Sequence, residues 1–134
     1  MGNKKRKSDC PIYTALDVFG DKWTLLIVRD LMFTGKHHYG DFLRMEETIA
    51  TNILADRLFL LEEAGIISKT IDESNKSKKI YSLSQKGIDL LPMLIEIILW
   101  SAKYDKHSAS DPKFVRQGIK DRDGLMARIK ADFK

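Results

Sequence analysis

The side chains of this chain that could do chemistry are few, and they sit on one helix, one loop and one cysteine. Residues 49–64 read as an amphipathic helix: Leu54, Leu58 and Leu61 form one stripe, flanked by Ala50, Ile53 and Ala64. Thr51, Asn52, Ala55, Asp56 and Phe59 then fall on the opposite side. Those types suit base edges. Asn can hold adenine through two hydrogen bonds, Thr and Ala can touch a thymine methyl, and Asp can accept from cytosine N4. The charge of Asp56 is repelled by phosphate, and Arg57 lies near the packed edge, where a structural, phosphate or base role is open. In the segment SNKSKK at 74–79, Lys76, Lys78 and Lys79 occur without an acid, a pattern suited to phosphate or to the minor groove.

Catalytic chemistry finds little support. GKHHYGDF superficially resembles a phosphate loop, but Gly40 is followed by Asp41-Phe42 rather than Lys-Ser or Lys-Thr. His37, His38 and Cys10 could touch a metal, yet adjacent histidines diverge on a helix and no HExxH-like spacing exists, so no metal site is expected. Glu46-Glu47 and Glu62-Glu63 read as solvated surface charge. Neither an enzyme nor a bound cofactor is expected.

Charge needs to be located before it is used. The chain has 134 residues, with 23 Lys+Arg against 19 Asp+Glu, a formal +4. Lys4, Lys5, Arg6 and Lys7 carry the whole excess, so residues 8–134 hold 19 of each sign. The pI near 9 thus reports a short basic tail, expected to be disordered over residues 1–9, on a neutral body. No apolar run approaches the ~20 residues of a membrane span, and MLIEIILW is interrupted by Glu96. MGNKKRKSD has no apolar stretch behind it and does not read as a secretory signal. A single Cys excludes an internal disulfide framework. Together these point to a cytoplasmic, single-domain protein with no membrane partner.

The elements that must position these residues follow from start and stop signals. Asp9-Cys10-Pro11 opens a helix that stops at Gly20. Asp21 caps a second, buried helix that ends at Gly35 and is apolar on most sides except at Arg29 and Asp30. A short third helix fits 39–45, with Phe42 and Leu43 facing inward. The fourth, capped by Thr48 after three or four residues, runs to Gly65. Residues 66–72 and 79–84 then change to a β period and frame a hairpin with a flexible basic tip. Ser84 caps a long helix to about residue 106, which Pro92 should bend, and Asp111-Pro112 starts one or two short helices. Helix, turn, helix and hairpin in that order make a winged helix-turn-helix, so the fold class is mainly α with a small β-hairpin. The expected organisation is a tail (1–9), a winged domain (10–106) and a C-terminal helical extension (107–134).

The long helix is apolar on more faces than one core needs. Ile88, Leu91, Ile95, Ile98 and Ala102 make one stripe; Leu90, Leu94, Ile97 and Tyr104 make a second, widened by Trp100. The second stripe, with Ile12, Leu16 and Phe19 of the lead helix, is expected to meet another copy of the chain. Phe114, Val115, Leu125, Met126 and Ile129 are further interface candidates. A two-fold dimer would read an inverted repeat in double-stranded DNA. The runner-up function is a winged-helix protein–protein interaction module that does not bind DNA.

Over about residues 10–106 the chain resembles the HxlR-type winged helix-turn-helix transcriptional regulators, with a MarR-like layout. The resemblance is carried by the Cys-Pro start, the Gly-x-Lys-Trp step at 20–23, the Leu-x-x-Leu-Glu-x-x-Gly close at 58–65 and the Ser-Leu-Ser-x-x-Gly exit at 82–87. It implies a cytoplasmic homodimer that binds operator DNA and regulates nearby genes. Ala50 stands where the family usually has a polar residue such as Ser, and Asp56 and Phe59 where Gln and Arg are usual, which implies an operator of its own. His38 stands where an arginine is frequent, which implies a phosphate contact of weaker or pH-dependent kind. Some members use a cysteine at the position of Cys10 as a redox or electrophile sensor. Cys10 is therefore a redox candidate, at a helix start where the dipole favours an anion. A small-molecule or redox effector is open.

Overall fold

A computed structural model describes residues 6–133, so Lys4 and Lys5 of the basic tail lie outside the described residues. The chain packs as two units, one ending at Ser84 and one starting at Gln85.

In the first unit, α1 (Pro11–Phe19) opens on Pro11 and stops at Gly20, whose N–H donates to the Leu16 carbonyl at 2.8 Å. A Cβ at Gly20 would lie 2.4 Å from that oxygen, which explains the glycine. Asp21 caps the next helix by accepting from the Trp23 and Thr24 N–H groups at 2.8 and 3.1 Å and from the Thr24 hydroxyl. Burial alone would raise the Asp21 pKa, but these bonds to its charged form outweigh it and the net shift is downward. The expected single helix to Gly35 is α2 (Thr24–Arg29) followed by a wider π-helical turn, Asp30–Thr34. Gly35 ends it in the left-handed region (φ 72). Ile27, Val28, Leu31 and Met32 fill the core from this segment.

Next come α3 (Tyr39–Leu43), with Phe42 fully buried and Leu43 half-buried, and α4 (Thr51–Glu63), with Leu54, Leu58 and Leu61 buried. The connection between them corrects the expectation of a three-to-four-residue turn capped by Thr48. It spans residues 44–50 and carries two core side chains of its own, Met45 and Ile49, which a tight turn could not place inward. Thr48 sits at φ 61 inside this loop, and Ala50 is the residue before the helix. Ala50, expected to pack inward, is exposed: its extended backbone takes it off the helical wheel.

The hairpin forms as expected. Strands β1 (Ile67–Ile71) and β2 (Lys79–Leu83) pair antiparallel with Ile67 opposite Leu83 and Ile71 opposite Lys79. Its tip, read as flexible, is instead a built turn. Asp72 accepts from the Ser74 N–H and hydroxyl (2.9 and 2.7 Å), and Asn75 does the same for Ser77 (3.2 and 2.7 Å). Such side-chain bonds to the backbone two residues on are the reason Asp, Asn and Ser favour turns.

In the second unit the expected long helix is divided into α5 (Gln85–Ile88) and α6 (Leu91–Tyr104). Pro92 causes a break rather than a bend. It has no N–H to donate to the preceding turn, so the helix is interrupted at Asp89-Leu90 and restarts at Leu91 with Pro92 in its first turn. Then α7 (Pro112–Lys120) and α8 (Arg122–Lys130) follow, capped by Asp111 and Asp121, which accept from the Lys113 and Gly124 N–H groups at 3.0 Å. Gly118 lets α7 approach α6, since a Cβ there would meet Leu99 at 3.2 Å. The architecture is a winged helix-turn-helix with a long helix and extra C-terminal helices.

Candidate nucleic-acid interface

The core stripe of α4 fixes what the rest of that helix presents. With Leu54, Leu58 and Leu61 buried, Thr51, Asn52, Ala55 and Asp56 are exposed, as is Phe59 further along. These are the residues the wheel assigned to the outer face. Arg57 is half-buried and committed: its Nε lies 3.1 Å from Asp21 and its Nη1 donates to Asp56 at 2.8 Å. It ties α4 to the start of α2, and it offsets the Asp56 charge that phosphate would repel. The start of α4 is also held from α3, where the Tyr39 hydroxyl donates to the Thr51 carbonyl at 3.0 Å.

The wing presents Lys76, Lys78 and Lys79 to solvent. Its position is set by contacts with the entry to α3. The Tyr81 N–H donates to the His37 carbonyl at 2.8 Å, and the Tyr81 ring meets Phe42 edge-on at 6.1 Å. His38 Nε2 lies 2.7 Å from Asp72. The Asp72 carboxyl is held down to about 2, first by the Ser74 hydroxyl and then by His38. The structure thus gives His38 a carboxylate partner at the root of the tip. The histidine pair also departs from expectation. His38 is extended (φ −103, ψ 154) rather than helical, so the two rings do not diverge but lie 4.3 Å apart.

One network was not legible in the sequence. Glu47, read as solvated charge, accepts two bonds from Arg29 at 2.7 and 2.9 Å. Arg29 also donates to Asp30 at 3.0 Å, and Lys36 lies 3.5 Å from the same carboxylate. Asp30 is 1% exposed, and two cations face its carboxyl group, as a buried acid requires. The bond from Arg29 holds the Glu47 carboxyl down to about 2, and the Glu47 bond in turn raises Arg29. This network clamps the loop before α4 to the π turn. Adjacent Glu residues in a polar stretch carry no mark of it, because the partner is 18 positions away.

The apolar residues assigned to an interface divide by burial. Ile12 and Leu16 on α1 are exposed (72% and 54%), and Ile97 and Tyr104 on α6 are exposed (42% and 67%), as is Trp100. Leu94 is buried and Ile98 half-buried within the chain. Leu125 is also buried. Cys10 is exposed immediately before α1. No helix of the described residues is long and apolar enough to cross a membrane.

Comparison with known proteins agrees with this geometry. The model of the HxlR-like helix-turn-helix family matches residues 18–109. The chain is 30% identical to the uncharacterized HTH-type transcriptional regulator YdeP of Bacillus subtilis (strain 168), over 71% of this chain and 73% of that one. It spans 56 to 63% of the length of some further regulators that it resembles. Among solved structures, PA1607, classed as a candidate transcription factor, is 38% identical, with a TM-score of 0.69 over 78% of this chain and 72% of that one. The redox regulator HypR in its reduced form is 29% identical, with a TM-score of 0.61 over 69% of this chain and 91% of that one. Regulators of this family are not enzymes. The chain belongs to the HxlR-like helix-turn-helix family of transcriptional regulators.

Proposed function

We propose that the protein acts in the cytoplasm as a homodimer that binds an inverted-repeat operator in double-stranded DNA and regulates nearby genes. The observation that carries this reading is the joint exposure of the first half of α4 and of the lysines on a built wing. Thr51, Asn52, Ala55 and Asp56 would read base edges in the major groove, Asn52 by a bidentate pair with adenine. Lys76, Lys78 and Lys79 would meet phosphate or the minor groove, and Arg57 would hold the helix rather than read a base. His38 would act on DNA through the wing that it anchors. The working domain would be residues 10–106, with 107–134 an extension and the basic tail a non-specific arm.

The second copy would cover Ile97, Trp100 and Tyr104 on α6, with Leu94 and Ile98 more deeply placed on the same helix, and separately Ile12 and Leu16 on α1. The test is a gel shift against the upstream intergenic region. Wild type should shift it with steep salt dependence, and Asn52→Ala should bind more weakly and discriminate less. Failure to shift at low salt would favour a protein-interaction module.

A redox role for Cys10 rests on its exposure and on the likeness to HypR, a redox regulator. If Cys10 is the sensor, an oxidant should alter DNA binding by wild type and leave Cys10→Ser unaffected. An equal response in both would end that reading.

A further inference from the structure

The entry to α3 holds a cluster of which only His38 enters the DNA-binding reading, and that only through the wing. One ring nitrogen each of His37 and His38 and one carboxylate oxygen of Asp41 all lie within 4.8 Å of one another. His38 Nδ1 is 3.6 Å from Asp41 Oδ2. Two ligands with bonds of about 2.0–2.1 Å at a tetrahedral angle stand roughly 3.4 Å apart, so this pair is nearly at coordinating separation.

The surroundings are those of a ligand set rather than of a chance contact. A metal-binding histidine donates its other ring N–H to a carboxylate or a backbone carbonyl, which fixes the tautomer and raises the basicity of the free nitrogen. Both histidines have such a partner. His38 Nε2 faces the Asp72 carboxylate at 2.7 Å, which leaves Nδ1 toward Asp41. His37 Nδ1 faces the Gly35 carbonyl at 2.9 Å, which leaves Nε2 as its lone-pair nitrogen. Asp72 is in turn fixed by Ser74. Asp41 Oδ2 is held by the N–H groups of His37 and His38 at 3.3 and 3.0 Å, while Arg44 takes its other oxygen at 2.6 Å.

We propose that His37, His38 and Asp41 form a binding site for a divalent transition-metal ion of the zinc type, with Asp72 and Gly35 as the supporting shell. Two imidazoles and one carboxylate suit a borderline ion rather than calcium or magnesium, which take oxygen ligands. Three protein ligands leave a fourth position for water, which can enter from a cleft of about 360 Å³ lined by His38, Tyr39, Asp41, Lys78 and Tyr81. Through His38 and Asp72 the ion would couple the entry of α3 to the root of the wing. The claim rests on this side-chain geometry alone and is independent of the DNA reading.

The test is titration of the untagged full-length chain with Co²⁺, followed by its visible absorption, and displacement by Zn²⁺. One Co²⁺ per chain with tetrahedral-type absorption is expected. His37→Ala, at an exposed position whose loss spares the core, should weaken binding at least tenfold, and Asp72→Asn should weaken it about 10–100-fold. Cys10→Ala and His107→Ala should leave it unchanged. Absence of the absorption, or a Co²⁺ affinity unchanged in His37→Ala, overturns the proposal.

Discussion

Arg29 is the residue on which most depends locally. It holds Glu47 through two bonds and shares the buried Asp30 with Lys36. Arg29→Ala would leave Asp30 with a single cation 3.5 Å away and release the loop before α4. A loss of about 3 kcal/mol is expected, at the low end of what breaking a buried ion pair costs. The pH dependence follows from Glu47. Its folded pKa is depressed from 4.5 to about 2 by the bonds from Arg29, so its contribution is fully present above 4.5 and is lost as pH falls toward 2. Denaturant unfolding followed by circular dichroism should therefore show the difference between wild type and Arg29→Ala shrinking over that interval. A difference independent of pH would mean that Glu47 is not the partner that matters. The exposed face of α4 is legible in the sequence because a leucine stripe determines the opposite one. Arg57, by contrast, shows its commitment to Asp21 and Asp56 only once α2 and α4 are placed together.

At the scale of elements, the loop of residues 44–50 determines how α3 and α4 are set, and Thr48 is its strained point. A β-branched residue at φ 61 is uncommon and costs of order 1 kcal/mol or more. Asn is several-fold better tolerated there. Thr48→Asn should thus raise stability by about 1 kcal/mol, read as a higher melting temperature, with DNA affinity unchanged. An unchanged or lower melting temperature would mean that the hydroxyl bond to the Glu46 carbonyl matters more than the strain. Most elements could be read from local signals: Pro11 and Gly20 bound α1, the β-branched run gives β1, and Asp111-Pro112 starts α7. What local signals missed divides by cause. The loop length and the π turn after Arg29 depend on which side chains must be buried at once, and periodicity along one segment does not contain that. The break before Pro92 comes from the proline itself, and the closeness of His37 to His38 from extended rather than helical backbone at His38.

At the scale of the whole molecule, a body neutral over residues 8–134 exposes three lysines at the tip of the hairpin. The formal +4 comes from the tail, yet the lysines at 76, 78 and 79 lie on a structured tip. Assembly is the second property at this scale. Ile97 is an exposed apolar residue beside Trp100 and Tyr104, whose rings lie 5.8 Å apart. Ile97→Asp should convert a dimer to monomers in sedimentation velocity without lowering thermal stability of the isolated chain, and should weaken operator binding by more than tenfold. A dimer that survives this change would place the interface elsewhere. The central claim is that α4 and the wing together grip DNA, and its most direct test is affinity for the upstream intergenic duplex as a function of salt. Fluorescence anisotropy between about 50 and 200 mM salt should give a straight line of log affinity against log salt. Replacing Lys76, Lys78 and Lys79 together by Gln should reduce its slope by about 3. Absence of binding at the lowest salt, or the same slope in the triple variant, would contradict the account.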